Sequence, residues 1–258
     1  MAGQSGMVDP AIFQDLQARV DEDSAVRDEL RDIVQALEKQ NRNISFILSR
    51  AHSTPVTSRT KEIFLSAKTQ ALTSTTVPDV LKAAEEPIQK AVETVSQLSQ
   101  SASKLPYYKF NNMWSRQVQD LAYGVLFWGW LGGHKLDGGA AKCGELLTIE
   151  KIGELLKIPV NLKDRDEFHL TIEEYLQALI SLLEELTRLA RNAVTLGDYE
   201  RPLLINQFVK DVFAGFQVLN LKNDSLRRRS DGIKYRVKDV EDVVYDLSLR
   251  NLIPQKEQ

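Results

Sequence analysis

The sequence predicts an all-α chain folded as a single domain. Three observations carry that expectation. Apolar residues recur at intervals of three and four from Phe13 to Leu247. The period-two alternation of strands is absent. Residues that cap helices stand where the periodic runs begin, most clearly Thr171 with Glu174 three positions on. The bulk numbers are those of an ordinary globular protein: 258 residues, 43% hydrophobic and 27% charged. The net charge is −3, so affinity for a polyanion would have to come from a local patch. One cysteine, Cys143, excludes an internal disulfide and fits a reducing compartment. The longest apolar run, Val118 to Leu131, is broken by Gln119 and Asp120 and is too short to span a bilayer, so no membrane partner is expected.

Residues 1–9 lack an apolar signal core and read as a disordered tail. From Pro10 a first stripe runs through Phe13, Leu16, Val20, Val26, Leu30, Leu37, Ile44 and Leu48 to about Ala51, with a cap or kink expected at Asp23 and Ser24. Arg27 and Arg31 lie one turn apart on its polar flank, with Asp28, Glu29 and Asp32 as candidate partners. A second helical region, about Pro55 to Ser103, should break near Pro78 and Pro87. Its Ser, Thr and Gln content predicts weak packing and exposure. Pro106 opens a third helix, in which Tyr107, Tyr108, Phe110 and Trp114 interleave with Lys109 and Arg116. Aromatics beside cations suit single-stranded nucleic acid, although such rings serve more often as plain core. The stretch Ala122 to Leu131 is apolar all round, hence buried, and with Trp128 and Trp130 it reads as part of a subunit interface.

Residues 132–146 have the composition of a flexible loop. Leu147 to Lys157 forms a short fourth helix stopped by Pro159, and 161–167 a charged loop. From Thr171 a strong stripe (Ile172, Leu176, Leu179, Leu183, Leu186, Ala190, Ala193) ends at Gly197, and Pro202 opens a sixth helix, Leu203 to about Asn220. A last helix follows, with Leu226, Ile233, Val237, Val240, Val244 and Leu247 on one stripe and Asp224 or Asn223 as its N-cap. Residues 252–258 are a C-terminal tail.

That last helix carries the most unusual feature. Arg227, Arg228 and Arg229 fall in its first turn, where the partial positive charge of the helix end disfavours cations. Between Lys222 and Lys238 seven cations face two anions, a local net charge of +5. The arrangement points to an external polyanion held by guanidinium forks and backbone N–H groups. The plainer alternative is a solvated basic face offset by acids of the protein itself.

Catalytic signatures are sparse. His52, His134 and His169 are scattered without ligand spacing, and there is neither a phosphate loop nor a nucleophile elbow. The acid pairs Glu173/Glu174 and Glu184/Glu185 are the remaining candidates for metal-assisted hydrolysis, which would want several converging acids.

The stretches LNLKNDSLRRRSDGIKYRVKDVEDVVYDLSLR, FHLTIEEYL, LTRLARNAVTLGDYERPL and INQFVKDVFAGFQVLNLKNDS resemble the translin family almost continuously from Phe168 to Asn251. The likeness is looser from Ile12 to Leu131, where PYYKF and Trp114 match. The resemblance implies an all-α domain over residues 10–251 of about seven helices, assembling into a hollow homo-octamer, or a hetero-octamer with the paralogue translin-associated factor X. It implies binding of single-stranded RNA and DNA. It further implies membership of a Mg²⁺-dependent endoribonuclease complex, cytoplasmic and nuclear, acting on small RNA passenger strands in RNA interference and on transfer-RNA precursor fragments. Family nucleic-acid positions fall on Arg27, Lys222 and Arg228. With the charge argument this makes Arg27, Lys109, Arg116, Lys222, Arg227, Arg228 and Arg229 the candidate binding residues. The His/Arg cluster that follows the YY[KR]F motif in the family is replaced here by Asn111, Asn112, Met113, Trp114 and Ser115.

The paralogue's catalytic acids correspond to Ala122, Val125, Ser181 and Glu185, of which only Glu185 is an acid. The expectation is therefore a subunit with no metal site or cofactor of its own, Mg²⁺ belonging to the paralogue. The alternatives are a stand-alone Mg²⁺-dependent nuclease built on Glu185 and an oligomeric scaffold without nucleic-acid contacts. VTLGD, at 194–198, matches a segment linked in the family to GTP, but reads physically as a helix end and turn.

Overall fold

The computed structural model describes residues 10–54, 76–134, 142–222 and 224–253. The expected tail over 1–9, the first part of the second helical region over 55–75, the loop centre at 135–141, Asn223 and residues 254–258 lie outside the described residues. The helices are α1 (Pro10–Ser49), α2 (Val77–Ala102), α3 (Tyr107–Phe110), α4 (Ser115–Trp130), α5 (Ile149–Leu156), α6 (Ile172–Thr195), α7 (Glu200–Val218), α8 (Ser225–Ser230) and α9 (Ile233–Leu249). Among the described residues the only β pairing is an isolated bridge between Val160 and Leu170.

Helix α1 runs unbroken for 40 residues, so Asp23 and Ser24 cap no helix start. In mid-helix each residue's N–H has the carbonyl four positions back and its C=O the N–H four positions on, which outweighs the side-chain preference for caps. Only its second half is buried: Leu30, Leu37, Ile44 and Leu48 are almost fully covered, whereas Ile12, Phe13, Leu16 and Val20 are exposed. Helix α2 lies antiparallel along that half. Gln40 Nε2 donates to Thr94 Oγ1 at 2.9 Å, and Ser101 Oγ to Glu29 Oε1 at 3.3 Å.

Two expectations for α2 are corrected. It passes through Pro87 without a break, and Pro78 sits in its first turn, where the missing N–H is not needed. It is also well packed. Val80, Leu81, Ala84, Ile88, Ala91, Val95 and Leu98 form a continuous apolar face, joined by buried Thr94, while Gln89, Gln97 and Gln100 are exposed.

The third predicted helix is divided. Helix α3 is one turn, followed by a 3₁₀ turn at Asn111–Met113, and α4 begins at Ser115. Helix α4 is the centre of the molecule, between α1 on one side and α6 on the other. Its all-round apolar sequence is satisfied within the chain: Leu121, Ala122, Val125, Leu126, Phe127 and Trp130 are buried. Of the two tryptophans expected at an interface, Trp130 is buried in the chain's own core and Trp128 is half-buried against it. Trp130 packs edge-on against Phe208 of α7, and Trp128 Nε1 donates to Leu81 O at 3.3 Å.

Helix α5 ends on Lys157 in the left-handed conformation (φ 57°). Helix α6 starts at the predicted capping box: Glu174 N donates to Thr171 Oγ1 at 3.1 Å and Thr171 N to Glu174 Oε2 at 2.9 Å. Glu174 is therefore a buried structural acid. Helices α7 and α9 pack on each other and on α6, making a second layer across α4 from the α1–α2 pair. Among the described residues no helix is long and apolar enough to cross a membrane.

Candidate functional site

The basic segment adopts a different form from the single helix expected. Helix α8 is six residues long and is separated from α9 by a turn at Asp231 and Gly232. Asp224 is the N-cap, its Oδ1 accepting from Arg227 N at 3.1 Å. One of the free N–H groups assigned to phosphate is therefore already taken. In so short a helix the arginines stand as near the C-terminal end, where cations are favoured, as the N-terminal end. The expectation of an anion held by the helix end is thereby corrected; what can hold one here is the side chains.

Those side chains differ. Arg227 pairs with Asp231 at 3.2 Å, both well exposed. Arg229 turns inward: NH1 donates to Gln177 Oε1 at 2.8 Å, and NH2 donates to Ser181 Oγ at 3.1 Å and meets Glu184 Oε2 at 3.3 Å. Arg228 is exposed and, like Lys222, has no acidic partner among the described residues. Lys234 lies with its Nζ 5.0 Å from the Tyr235 ring centroid. The segment thus contains both a self-paired part (Arg227, Arg229) and an open part (Lys222, Arg228).

The remaining candidates form two further groups. Arg27 has no ion pair among the described residues; its guanidinium sits 5.8 Å from the Phe110 ring centroid, and Lys109 Nζ approaches the same ring at 5.5 Å. Lys109 also donates to Asp23 Oδ1 at 2.6 Å, while Arg31 takes the predicted local partner, Asp28, at 2.7 Å. Among the aromatics of this region Tyr107, Phe110 and Trp114 are core, and Tyr108 alone is exposed. Arg116, on α4, pairs with Asp120 at 3.2 Å. It lines a polar cleft of about 350 Å³ together with Gln119, Ser181, Glu184 and Arg229, so Arg116 and Arg229 share one site.

Glu185 is engaged elsewhere. Its Oε1 receives His52 Nε2 at 2.7 Å and Arg188 NH2 at 2.6 Å, and Asn192 Nδ2 donates to His52 Nδ1 at 2.9 Å. Burial pushes the Glu185 carboxyl up, but His52 and Arg188 outweigh burial and hold it below its ordinary value. Nothing in the local sequence announces the cluster, because His52 and Glu185 are 133 positions apart.

The positions matched to the paralogue's acids do not suit a divalent cation. Ala122 and Val125 are buried and apolar, Ser181 accepts a cationic guanidinium, and Glu185 is committed to two donors. No three His, Cys, Asp or Glu side chains converge among the described residues. The VTLGD turn is no phosphate cradle: Gly197 N and Asp198 N donate to Val194 O and Ala193 O, and the Asp198 carboxylate, paired with buried Arg201 at 3.0 Å, faces the same turn.

Fold and site together define an all-α, layered helical protein with a local cationic surface on a chain that is acidic overall. The Translin family model matches residues 25–251. Translin of Gallus gallus is 35% identical over 246 residues, covering 94% of this chain and 93% of that protein. Translin of Homo sapiens is 35% identical over 240 residues, covering 93% and 92%. Among solved structures, apo-NeC3PO aligns with a TM-score of 0.59 at 13% identity, covering 93% of this chain and 98% of its own. AfC3PO in complex with duplex RNA aligns with the same score at 12% identity. At such identities the structural likeness speaks for the fold, and the sequence relatives for the lineage. The chain belongs to the translin family.

Proposed function

We propose that this chain is a single-stranded RNA- and DNA-binding subunit, without a catalytic metal site of its own, of an endoribonuclease complex with translin-associated factor X. The observation that carries the reading is the open pair Lys222 and Arg228 within the +5 segment of a chain whose net charge is −3. A local cationic surface on an acidic molecule selects a polyanion and repels indiscriminate contact. Family membership and the duplex RNA bound by AfC3PO support nucleic acid as that polyanion. The paralogue supplies the carboxylates and Mg²⁺, the assembly is an octamer, and the substrates are passenger strands and transfer-RNA precursor fragments met in cytoplasm and nucleus.

Replacing Arg228 by Glu, alone or with Lys222→Glu and Arg27→Glu, weakens binding of a short single-stranded oligonucleotide in a mobility-shift assay. Each phosphate that is no longer neutralised flattens the salt dependence by about 0.7 in log–log slope. Unchanged affinity in the triple variant, with the helical spectrum intact, rejects the surface. Cleavage of RNA appears when the chain is co-expressed with its paralogue. Cleavage by the purified chain alone that disappears in Glu185→Ala would instead establish the stand-alone nuclease.

A further inference from the structure

A cleft of about 330 Å³ lies between the end of α7 and the basic α8–α9 segment. Its floor is apolar: Phe216 is buried, and Phe213 and Leu221 are half-buried against the core. Its rim carries Arg227, Ser230 and Lys234. These three, with Asp231, stand at intervals of three and four and so share one face. That register survives the break between α8 and α9, because Asp231 and Gly232 both keep right-handed helical backbone angles. Lys222 and Arg228, which like Lys234 have no acidic partner among the described residues, belong to the same basic segment without lining the cleft.

We propose that this cleft takes one nucleobase of a bound single strand, its face against Phe213, with the adjoining phosphates on Arg227 and Lys234. The inference rests on the reading of the chain as a single-strand binder and adds where a base goes. An aromatic face with apolar neighbours, rimmed by cations, matches a nucleotide's division into a flat π surface and an anionic backbone. A base in a duplex has both faces covered by its neighbours, so only an unstacked base can enter. Arg227 is held by Asp231 at 3.2 Å in an exposed, exchangeable pair, so a phosphate can replace the carboxylate at little cost.

The test compares an oligothymidylate with an abasic oligodeoxynucleotide of equal length, both against the full assembled protein, by fluorescence anisotropy over a salt series. Phe213→Ala lowers affinity for the oligothymidylate by about tenfold, the loss expected for one stacked base. It leaves abasic binding and the salt slope unchanged, and Phe213→Trp restores the affinity. Lys234→Gln, an exposed substitution that spares the fold, weakens both ligands and flattens the slope by about 0.7. Oligothymidylate binding that is unaffected by Phe213→Ala, or an equal loss for both ligands, overturns the base slot while leaving single-strand binding in place. An assembled wild-type protein that binds neither ligand overturns both.

Discussion

Three adjacent arginines in one turn have three different fates. Arg228 faces solvent, Arg227 leans on Asp231, and Arg229 crosses to α6 to bind Gln177, Ser181 and Glu184. Arg229→Ala should therefore act on stability first, costing about 1 kcal/mol in a denaturant titration as its acceptors return to water. Arg228→Glu should leave the unfolding midpoint unchanged and act on binding. A binding defect in Arg229→Ala as large as that of Arg228→Glu, at equal stability, would put both in one interface. The His52–Glu185–Arg188 cluster makes a pH prediction of definite sign. Because the Glu185 carboxyl is held below its ordinary value in the folded chain, its contribution is present above the unfolded carboxylate pKa and is lost as pH falls through the folded value. Glu185→Gln should destabilise the protein near neutral pH, and the difference from wild type should vanish in acid melts. A constant difference at all pH values would show the cluster to be packing alone.

At the scale of elements, capping and close approach decide where helices end. The Thr171–Glu174 box is legible from four letters because it is local: each partner satisfies the other's backbone N–H. Thr171→Ala should cost about 1 kcal/mol by thermal or chemical unfolding. Gly133, after α4, shows in the sequence only as loop composition. A Cβ there would stand 2.2 Å from the Trp128 ring, which is tethered to Leu81 O. Gly133→Ala should destabilise by roughly 1–3 kcal/mol, as overpacking against a rigid ring does, and Trp128→Leu in the same chain should recover part of that loss. The prolines of α2 teach the opposite lesson. Pro87 predicts a break, yet the apolar face from Val77 to Ala102 holds the helix continuous across that residue. Burial summed over a helix exceeds the roughly 3 kcal/mol that one internal proline costs.

The whole molecule is two helical layers sharing α4, with the first half of α1 standing clear of both. An octamer, as the family resemblance implies, would give a light-scattering mass of eight times the chain's 29.2 kDa. A mass of one chain at working concentration would remove assembly from the functional account. Helix content, the positions of α6 and α7, the capping box and the basic segment are determined by the sequence alone, because periodicity, caps and charge runs act over a few residues. The tertiary structure decides that α4 is packed between α1 and α6, and that α2 carries a buried apolar face. It also decides that Arg229 serves α6 while Arg228 stays exposed, and that His52 closes on Glu185. Each of these depends on partners dozens of positions away. Their meeting is set by how the layers stack, and no local pattern of residues encodes that.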